Sequence, residues 1–178
     1  MRVPVAHFFG KDDGMTHISA GSTAPDFSLQ GLDGKNYSLK QLLQRGPAVA
    51  AFFKVSCPVC QFTAPFLERL HKRYAQGSVT FLGISQDNAA ATEKFMHQHG
   101  VTFPVALDED HYPVSNAYGL TNVPTILFID TDGTAKLVSL GFEKQALEDI
   151  AATLAERQKM APAPLFRPDE SAPAYKPG

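Results

Sequence analysis

Hydrophobic and polar positions follow one another along the chain with either the two-residue period of strands or the 3.6-residue period of helices. An unbroken apolar run, Ala-Val-Ala-Ala-Phe-Phe, occupies residues 48–53 directly after Gly46-Pro47. A short apolar run that begins after a turn signal is typical of a strand buried on both faces of a sheet. We therefore predict a central strand at residues 48–53 and place the other elements relative to it.

Strands and helices alternate on both sides of this central strand. Upstream, residues 24–39 alternate like a hairpin around Asp33-Gly34, and a short helix is predicted at residues 39–44. Downstream, helical patterns or turns are found at residues 61–74, 89–99, 114–118 and 144–157. Short apolar runs predict further strands at residues 79–85, 103–107, 125–129 and 135–140.

The order of these elements predicts the fold class. The last two strands are joined through Asp132-Gly133, which favours an antiparallel hairpin, and a final helix follows them. Alternating strands and helices that finish in this way favour an α/β fold, with a central mixed β-sheet flanked by helices on both faces. An N-terminal β-hairpin precedes the sheet.

The 178 residues are enough for one domain with appendages. Residues 1–20 lack periodicity and are predicted to be a loose N-terminal leader, and residues 21–158 form the predicted domain. The Pro-rich tail, residues 159–178, has prolines that exclude helix and strand alike, at positions 162, 164, 168, 173 and 177. We expect this tail to be disordered or to lie extended on the domain, held by Leu165, Phe166 and Tyr175.

The two cysteines of the chain both lie where the central strand gives way to a helix. Cys57 and Cys60 frame the sequence Cys-Pro-Val-Cys, and this spacing at a helix start places both sulfurs on one face, within reach of each other. The helix start favours the thiolate form of Cys57, whereas Cys60 lies one turn further in and is expected to be shielded. One thiol that attacks and a second that waits beside it are what disulfide exchange requires.

Two prolines extend this pattern into a family resemblance. Pro65 falls inside the helix pattern eight residues after Cys57 and should kink the helix, and Val123-Pro124 precedes the apolar run at residues 126–129. With these residues the chain resembles the thioredoxin superfamily, and most closely its TlpA-like thiol–disulfide oxidoreductases, in the redoxin or AhpC/TSA group. The resemblance covers residues 21–157 and implies a thioredoxin-like fold with an inserted helix and strand near residues 94–105.

The resemblance also implies an activity and its residues. Cys57 would be the nucleophile, Cys60 the resolving thiol and Val123-Pro124 a cis-proline loop that faces them. Substrate would be bound by residues between the cysteines and in that loop, namely Pro58, Val59, Val123 and Pro124. The expected reaction is the reduction of disulfide-containing protein substrates, with an upstream dithiol reductant and no cofactor beyond the cysteine pair.

Several positions depart from the family pattern. Ala51 stands where thioredoxins keep a buried acid, and Thr63 where some TlpA-like proteins carry a glutamate. The resemblance therefore provides no acidic proton shuttle. Val59 replaces the proline that precedes the second cysteine in thioredoxin itself. A redox potential cannot be transferred from the family for that reason.

Composition excludes some classes of partner and location. The formal net charge is −2 and lysine and arginine are not clustered, so the sequence shows no footprint of nucleic-acid binding. No apolar stretch approaches the length of a membrane span. The first residues do not form a secretory signal. We expect a cytoplasmic protein, although TlpA-like proteins are often exported.

Two other functions are alternatives. Peroxiredoxins share the fold, but their motif has threonine and proline where this chain has Lys54 and Ala50. A copper- or zinc-binding module would need ligands beyond the two cysteines, and His111 is one candidate. His97 and His99 lie two apart on a helix and cannot share a metal, so no metal ligand is predicted. Lys54 either stabilises a Cys57 thiolate or extends into water.

Overall fold

A computed structural model describes residues 17–178 of the protein, so most of the predicted leader lies outside the described residues. The strands are β1 (Ser28–Gln30), β2 (Asn36–Ser38), β3 (Ala48–Phe53), β4 (Thr80–Ser85), β5 (Val105–Leu107), β6 (Thr125–Ile129), β7 (Ala135–Leu140), β8 (Phe142–Glu143) and β9 (Tyr175–Lys176). The helices are α1 (Leu39–Leu43), α2 (Pro58–Tyr74), α3 (Ala89–His99), α4 (Pro113–Ala117) and α5 (Lys144–Arg157).

The predicted central strand is the middle of a five-stranded mixed sheet. The strand order is β5-β4-β3-β6-β7. Strand β3 runs parallel to β4 and antiparallel to β6, and Ala51 is paired with Gly83 on one side and with Ile126 on the other. Every residue of β3 is buried. The prediction of a mixed sheet with a fully buried strand at residues 48–53 is confirmed.

The two faces of β3 belong to two hydrophobic clusters. Val49, Ala51 and Phe53 pack in a cluster with apolar residues of α2, α3 and α5. Residues 48, 50 and 52 pack in a second cluster with the β1–β2 hairpin, α1 and α4. Alternate side chains of a strand point to opposite faces, so an unbroken apolar run is what this two-sided packing requires. Helices therefore cover both faces of the sheet.

The structure corrects the expectation that prolines exclude all strand structure from the tail. Residues 175 and 176 form β9, which pairs antiparallel with β8 and sets Lys176 opposite Phe142. Both residues of β9 lie between Pro173 and Pro177 and keep their own backbone N–H groups. Two such residues are enough for a short pairing.

The tail lies on the domain, one of the two arrangements expected for it. Leu165 and Phe166 are buried, with 1% and 5% of their surface exposed, and hold the tail as predicted. Tyr175 differs from the expectation, because its side chain is 54% exposed and its attachment runs through the backbone of β9. No helix within residues 17–178 has the length and apolar character needed to cross a membrane.

Candidate active site

Cys57 is the N-cap of α2. Its backbone is extended, with φ −81° and ψ 116°, and its sulfur accepts a hydrogen bond from the Cys60 backbone N–H at 3.3 Å. Pro58 occupies the first turn, where a missing N–H removes no helical hydrogen bond. The free N–H groups and the dipole of a helix start stabilise negative charge on a capping sulfur. Cys57 therefore lies at the N-terminal end of α2, in the segment that joins β3 to α2.

The two thiols differ in their access to solvent. Both cysteines are free thiols, Cys57 half-buried and Cys60 with 2% of its surface exposed. Burial raises the pKa of the Cys60 thiol far above its usual range, and the hydrogen bond and charge of Cys57 act in the same direction. The outer sulfur can meet a partner, whereas the inner one stays protonated until its surroundings change.

The Val123-Pro124 peptide bond is cis, as the resemblance implied. The Cys57 thiol donates a hydrogen bond to the Val123 carbonyl oxygen at 3.4 Å. Pro124 is buried and lines a small apolar cavity together with Cys60. The structure thus brings together the cysteine pair and the loop before β6, although 66 positions separate Cys57 from Val123.

The residues expected to contact substrate lie around the outer sulfur. Pro58 is exposed, Val59 and Val123 are half-buried, and Pro124 is buried beneath them. This position does not show a contact with substrate, so the binding role of these residues stays a prediction.

Helix α2 continues through Pro65 from residue 58 to residue 74.

The small cavity beside Cys60 is lined by the two residues at which the chain departs from the acids of the family pattern. Ala51 and Thr63 both line it and both are buried. The Thr63 hydroxyl donates to the Val59 carbonyl at 2.6 Å, so it is satisfied within its own helix. Phe53 and Phe95 stack at 5.0 Å and close the cavity on another side. The wall beside the inner sulfur therefore offers no carboxylate to accept its proton.

A carboxylate that the sequence analysis did not assign to the site is Asp87. The N-cap of α3 is the next residue, Asn88, which accepts from the Ala91 N–H at 2.9 Å. The Asp87 side chain instead accepts from the Val55 N–H at 2.7 Å, in the loop that leads to Cys57. Its negative charge is a lesser cause, after burial, of the raised pKa of Cys60. Asp87 lies two residues after β4, and nothing in the local sequence pattern indicates its contact with the loop before Cys57.

Lys54 lies at the edge of the site. Its ammonium nitrogen is 5.8 Å from the centre of the Tyr112 ring, a cation–π arrangement. Tyr112 is exposed and adopts a positive φ of 55°. The two residues before it, Asp110 and His111, also have positive φ values. The lysine therefore lies over the tyrosine ring beside the strand-to-helix junction.

Among the described residues, the histidines considered above form no metal-binding group with the cysteines. His99 packs against Phe95 on α3, with 4.5 Å between ring centres. His111 is exposed in the loop before α4. Within residues 17–178, no group of three or more His, Cys, Asp or Glu side chains is placed to hold a metal ion.

Residues 20–138 match the model of the AhpC/TSA family. The thiol-disulfide oxidoreductase ResA of Geobacillus thermodenitrificans is 32% identical over 151 residues, which cover 82% of this chain and 84% of that protein.

Two solved structures resemble this one. The thioredoxin domain of a thiol-disulfide oxidoreductase from Bacteroides vulgatus superposes with a TM-score of 0.67 at 21% identity, over 76% of this chain and 97% of its own. The peroxidoxin BcpB of Mycobacterium tuberculosis superposes with a TM-score of 0.65 at 26% identity, over 79% of this chain and 98% of its own. The predicted thioredoxin-like fold is confirmed.

Proposed function

This chain belongs to the AhpC/TSA family and is a thiol–disulfide oxidoreductase, and we propose that it reduces protein disulfides through Cys57 as the nucleophile and Cys60 as the resolving thiol. The observation that carries this proposal is the unequal placement of the two sulfurs. Cys57 is accessible at the start of α2, and Cys60 is buried one turn later on the same helix.

The first step uses the outer sulfur. The Cys57 thiolate attacks one sulfur of a substrate disulfide, a bond forms between them, and the other substrate sulfur leaves as a thiolate. The Cys60 N–H, which already points at the Cys57 sulfur at 3.3 Å, stabilises the thiolate before attack. The product is a mixed disulfide between enzyme and substrate.

The second step uses the inner sulfur. Cys60 loses its proton and attacks the Cys57 sulfur, which releases the remaining substrate sulfur and leaves a Cys57–Cys60 disulfide. Two electrons have then passed from the enzyme to the substrate. An upstream dithiol must return two electrons before the next cycle.

Proton removal from Cys60 is the demanding part of this sequence. Burial favours the neutral thiol, and Ala51 and Thr63 line its cavity without an acidic group. The departing substrate thiolate is then the available acceptor, because it is generated beside Cys57 as the mixed disulfide forms. We propose that resolution is slower here than attack.

An insulin-disulfide reduction assay with a recycling reductant tests this function. We expect turnover by the unaltered chain, loss of turnover in Cys57→Ser, and accumulation of a mixed disulfide in Cys60→Ser. An unaltered chain that reduces neither protein nor small disulfides would refute the proposal.

A thiol peroxidase is the second candidate, supported by the likeness to the peroxidoxin BcpB. A peroxidatic cysteine needs donors that stabilise the developing negative charge on peroxide. Lys54 and Ala50 stand where the peroxiredoxin motif places threonine and proline, and Lys54 is turned toward Tyr112. Peroxide consumption by the chain far above that of a free thiol would favour this candidate over the reductase.

A further inference from the structure

The Pro-rich tail is fastened to α2 by an anchor, residues 163–170. Arg69 forms a two-pronged ion pair with Glu170, at 2.6 and 2.9 Å, and also donates to the Leu165 carbonyl at 2.6 Å. Arg73 donates to the carbonyls of residues 163 and 164. Phe166 is buried against Phe66, with 4.8 Å between ring centres. This part of the tail is an integral piece of the domain surface.

Beyond the anchor, the chain runs toward the candidate active site. The distal tail, residues 173–178, passes over β8, where β9 pairs with it. The Lys176 ammonium lies 5.0 Å from the ring centre of Phe62, two residues after Cys60. Phe62 also packs edge-on against Phe142 of β8, at 5.0 Å. The distal tail therefore covers the side of the site formed by β8 and the start of α2.

Gly178 reaches the residue that holds the Cys57 thiol. A side chain at position 178 would collide with the Val123 carbonyl oxygen and press on the Asn122 side-chain nitrogen, so the Gly178 and Val123 backbones are in direct contact. That carbonyl is the one that accepts the hydrogen bond from Cys57. The glycine backbone thus lies on the Val123 edge of the site.

We infer that the distal tail occupies, within the same chain, the surface beside Cys57 that an extended polypeptide substrate needs, and so competes with protein disulfides. This inference rests on the proposed function, because competition requires a substrate that is an extended polypeptide carrying a disulfide. Any segment that delivers its sulfur to Cys57 along Val123 meets Gly178. A small disulfide needs only the sulfur itself, which is half-buried and open to solvent.

The division of the tail into two parts allows the distal tail to move. The anchor has a buried pair, Leu165 and Phe166, and the Arg69–Glu170 ion pair. The distal tail has a two-residue strand and the exposed Tyr175. Segments with few buried apolar contacts open at low free-energy cost, while well-packed ones open only near global unfolding. Residues 173–178 can therefore leave the site while the anchor stays in place.

The first test measures access to Cys57 and needs no turnover. In a Cys60→Ser background, the alkylation rate of Cys57 is compared for N-ethylmaleimide and a polymer-linked maleimide, in the full chain and in a chain ending at Ala172. We expect removal of residues 173–178 to raise the rate of the polymer reagent and to leave that of the small reagent unchanged. Equal polymer rates in the two chains would overturn the inference.

A point variant gives the same test with the whole chain present. Gly178→Ala places a Cβ against the Val123 backbone and should displace the distal tail, giving a smaller rise in the polymer rate than the deletion gives. Asp169→Asn, at an exposed position of the anchor, is the matched control and should leave the rate unchanged. A Gly178→Ala rate equal to that of the control would overturn the inference.

Turnover provides the second test. If the distal tail covers the site nine-tenths of the time, its removal raises kcat/KM for insulin about tenfold, because apparent affinity scales with the open fraction. The value for a small disulfide should not change. An unchanged or lower value for insulin would overturn competition. If neither chain reduces any disulfide, the proposed function fails, and the alkylation rates still decide whether the tail covers Cys57.

Discussion

The Cys57 thiol donates a hydrogen bond to the Val123 carbonyl at 3.4 Å, so the exposed cysteine and the residue before Pro124 form one surface. The same carbonyl contacts Gly178 of the tail. Three distant parts of the chain thus meet around this carbonyl. In the proposed reaction, Cys57 attacks, Cys60 resolves, and the distal tail controls access to Cys57. Each of these roles can be tested separately.

The buried thiol predicts a loss of stability at alkaline pH. Burial raises the pKa of Cys60, so above about pH 8.5 the unfolded chain ionises this thiol while the folded chain does not. The contribution is fully present below the unfolded pKa and declines with rising pH by about 1.4 kcal/mol per pH unit. Urea unfolding of the reduced chain at pH 8 and pH 10 should show this decline.

Cys60→Ser is the control for that measurement, since it removes the thiol and keeps the other titrating groups. The difference in the free energy of unfolding between the unaltered chain and this variant should shrink as pH rises. A difference that is constant from pH 8 to pH 10 would contradict a raised pKa for Cys60.

Asp87 predicts a variant with faster resolution. After burial, which dominates, the negative charge of Asp87 contributes to the raised pKa of Cys60. Asp87→Asn removes the charge and keeps an oxygen that can accept from the Val55 N–H. We expect the mixed disulfide to resolve about two- to fivefold faster near pH 7, the effect of a fraction of a pKa unit. Quenched time courses followed by mass spectrometry measure this rate.

Asp87→Ala separates the charge from the hydrogen bond. It removes both, so the loop before Cys57 loses the acceptor of the Val55 N–H and the attack step should slow as well. Equal resolution rates in Asp87→Asn and the unaltered chain would exclude an electrostatic role for this carboxylate.

The anchor of the tail should survive mild acid. The Arg69 guanidinium, together with the Arg167 N–H, lowers the pKa of Glu170 to about 2. A carboxylate with a lowered pKa stabilises the fold above its unfolded pKa, and this contribution is lost as pH falls through the folded value. Hydrogen exchange of residues 163–170 should therefore show the same protection relative to the domain at pH 5 and pH 7.

Glu170→Gln should lower the hydrogen-exchange protection of residues 163–170 at both pH values, because the ion pair with Arg69 is lost. Glu156→Gln, at an exposed position of α5, is the matched control and should leave the tail protected. Unchanged protection in Glu170→Gln would show that burial of Leu165 and Phe166 is sufficient to hold the anchor.

Local sequence patterns predicted the five-stranded sheet and the five helices found in residues 17–178. The run at residues 48–53 specified a two-faced strand because each of its side chains enters one of two cores. The position of the cysteine pair could be predicted equally well, because the strand, the cysteine spacing and the helix start are neighbouring features of the sequence. The cis bond at Val123-Pro124 was expected from the family resemblance alone.

Contacts between distant segments could not be predicted in the same way. Asp87 and Val55 are 32 positions apart, and no pattern near Asp87 indicates that it accepts from the loop before Cys57. The prolines of the tail correctly predicted that it forms no helix. They did not indicate that the two residues between Pro173 and Pro177 keep their N–H groups and form β9. Gly178 and Val123 are likewise far apart in the sequence, and no local period indicates their contact.

Disulfide exchange with Cys57 attacking and Cys60 resolving is the central claim, and trapping tests it most directly. Cys57→Ser and Cys60→Ser are each incubated with insulin, the remaining thiol is blocked, and adducts are read by mass after separation without reductant. Cys60→Ser should hold substrate in a stable mixed disulfide, because the neighbouring thiol that ends it is gone. Cys57→Ser should capture almost nothing, because Cys60 is buried. Capture by Cys57→Ser alone would reverse the two roles, and capture by neither would contradict disulfide exchange itself.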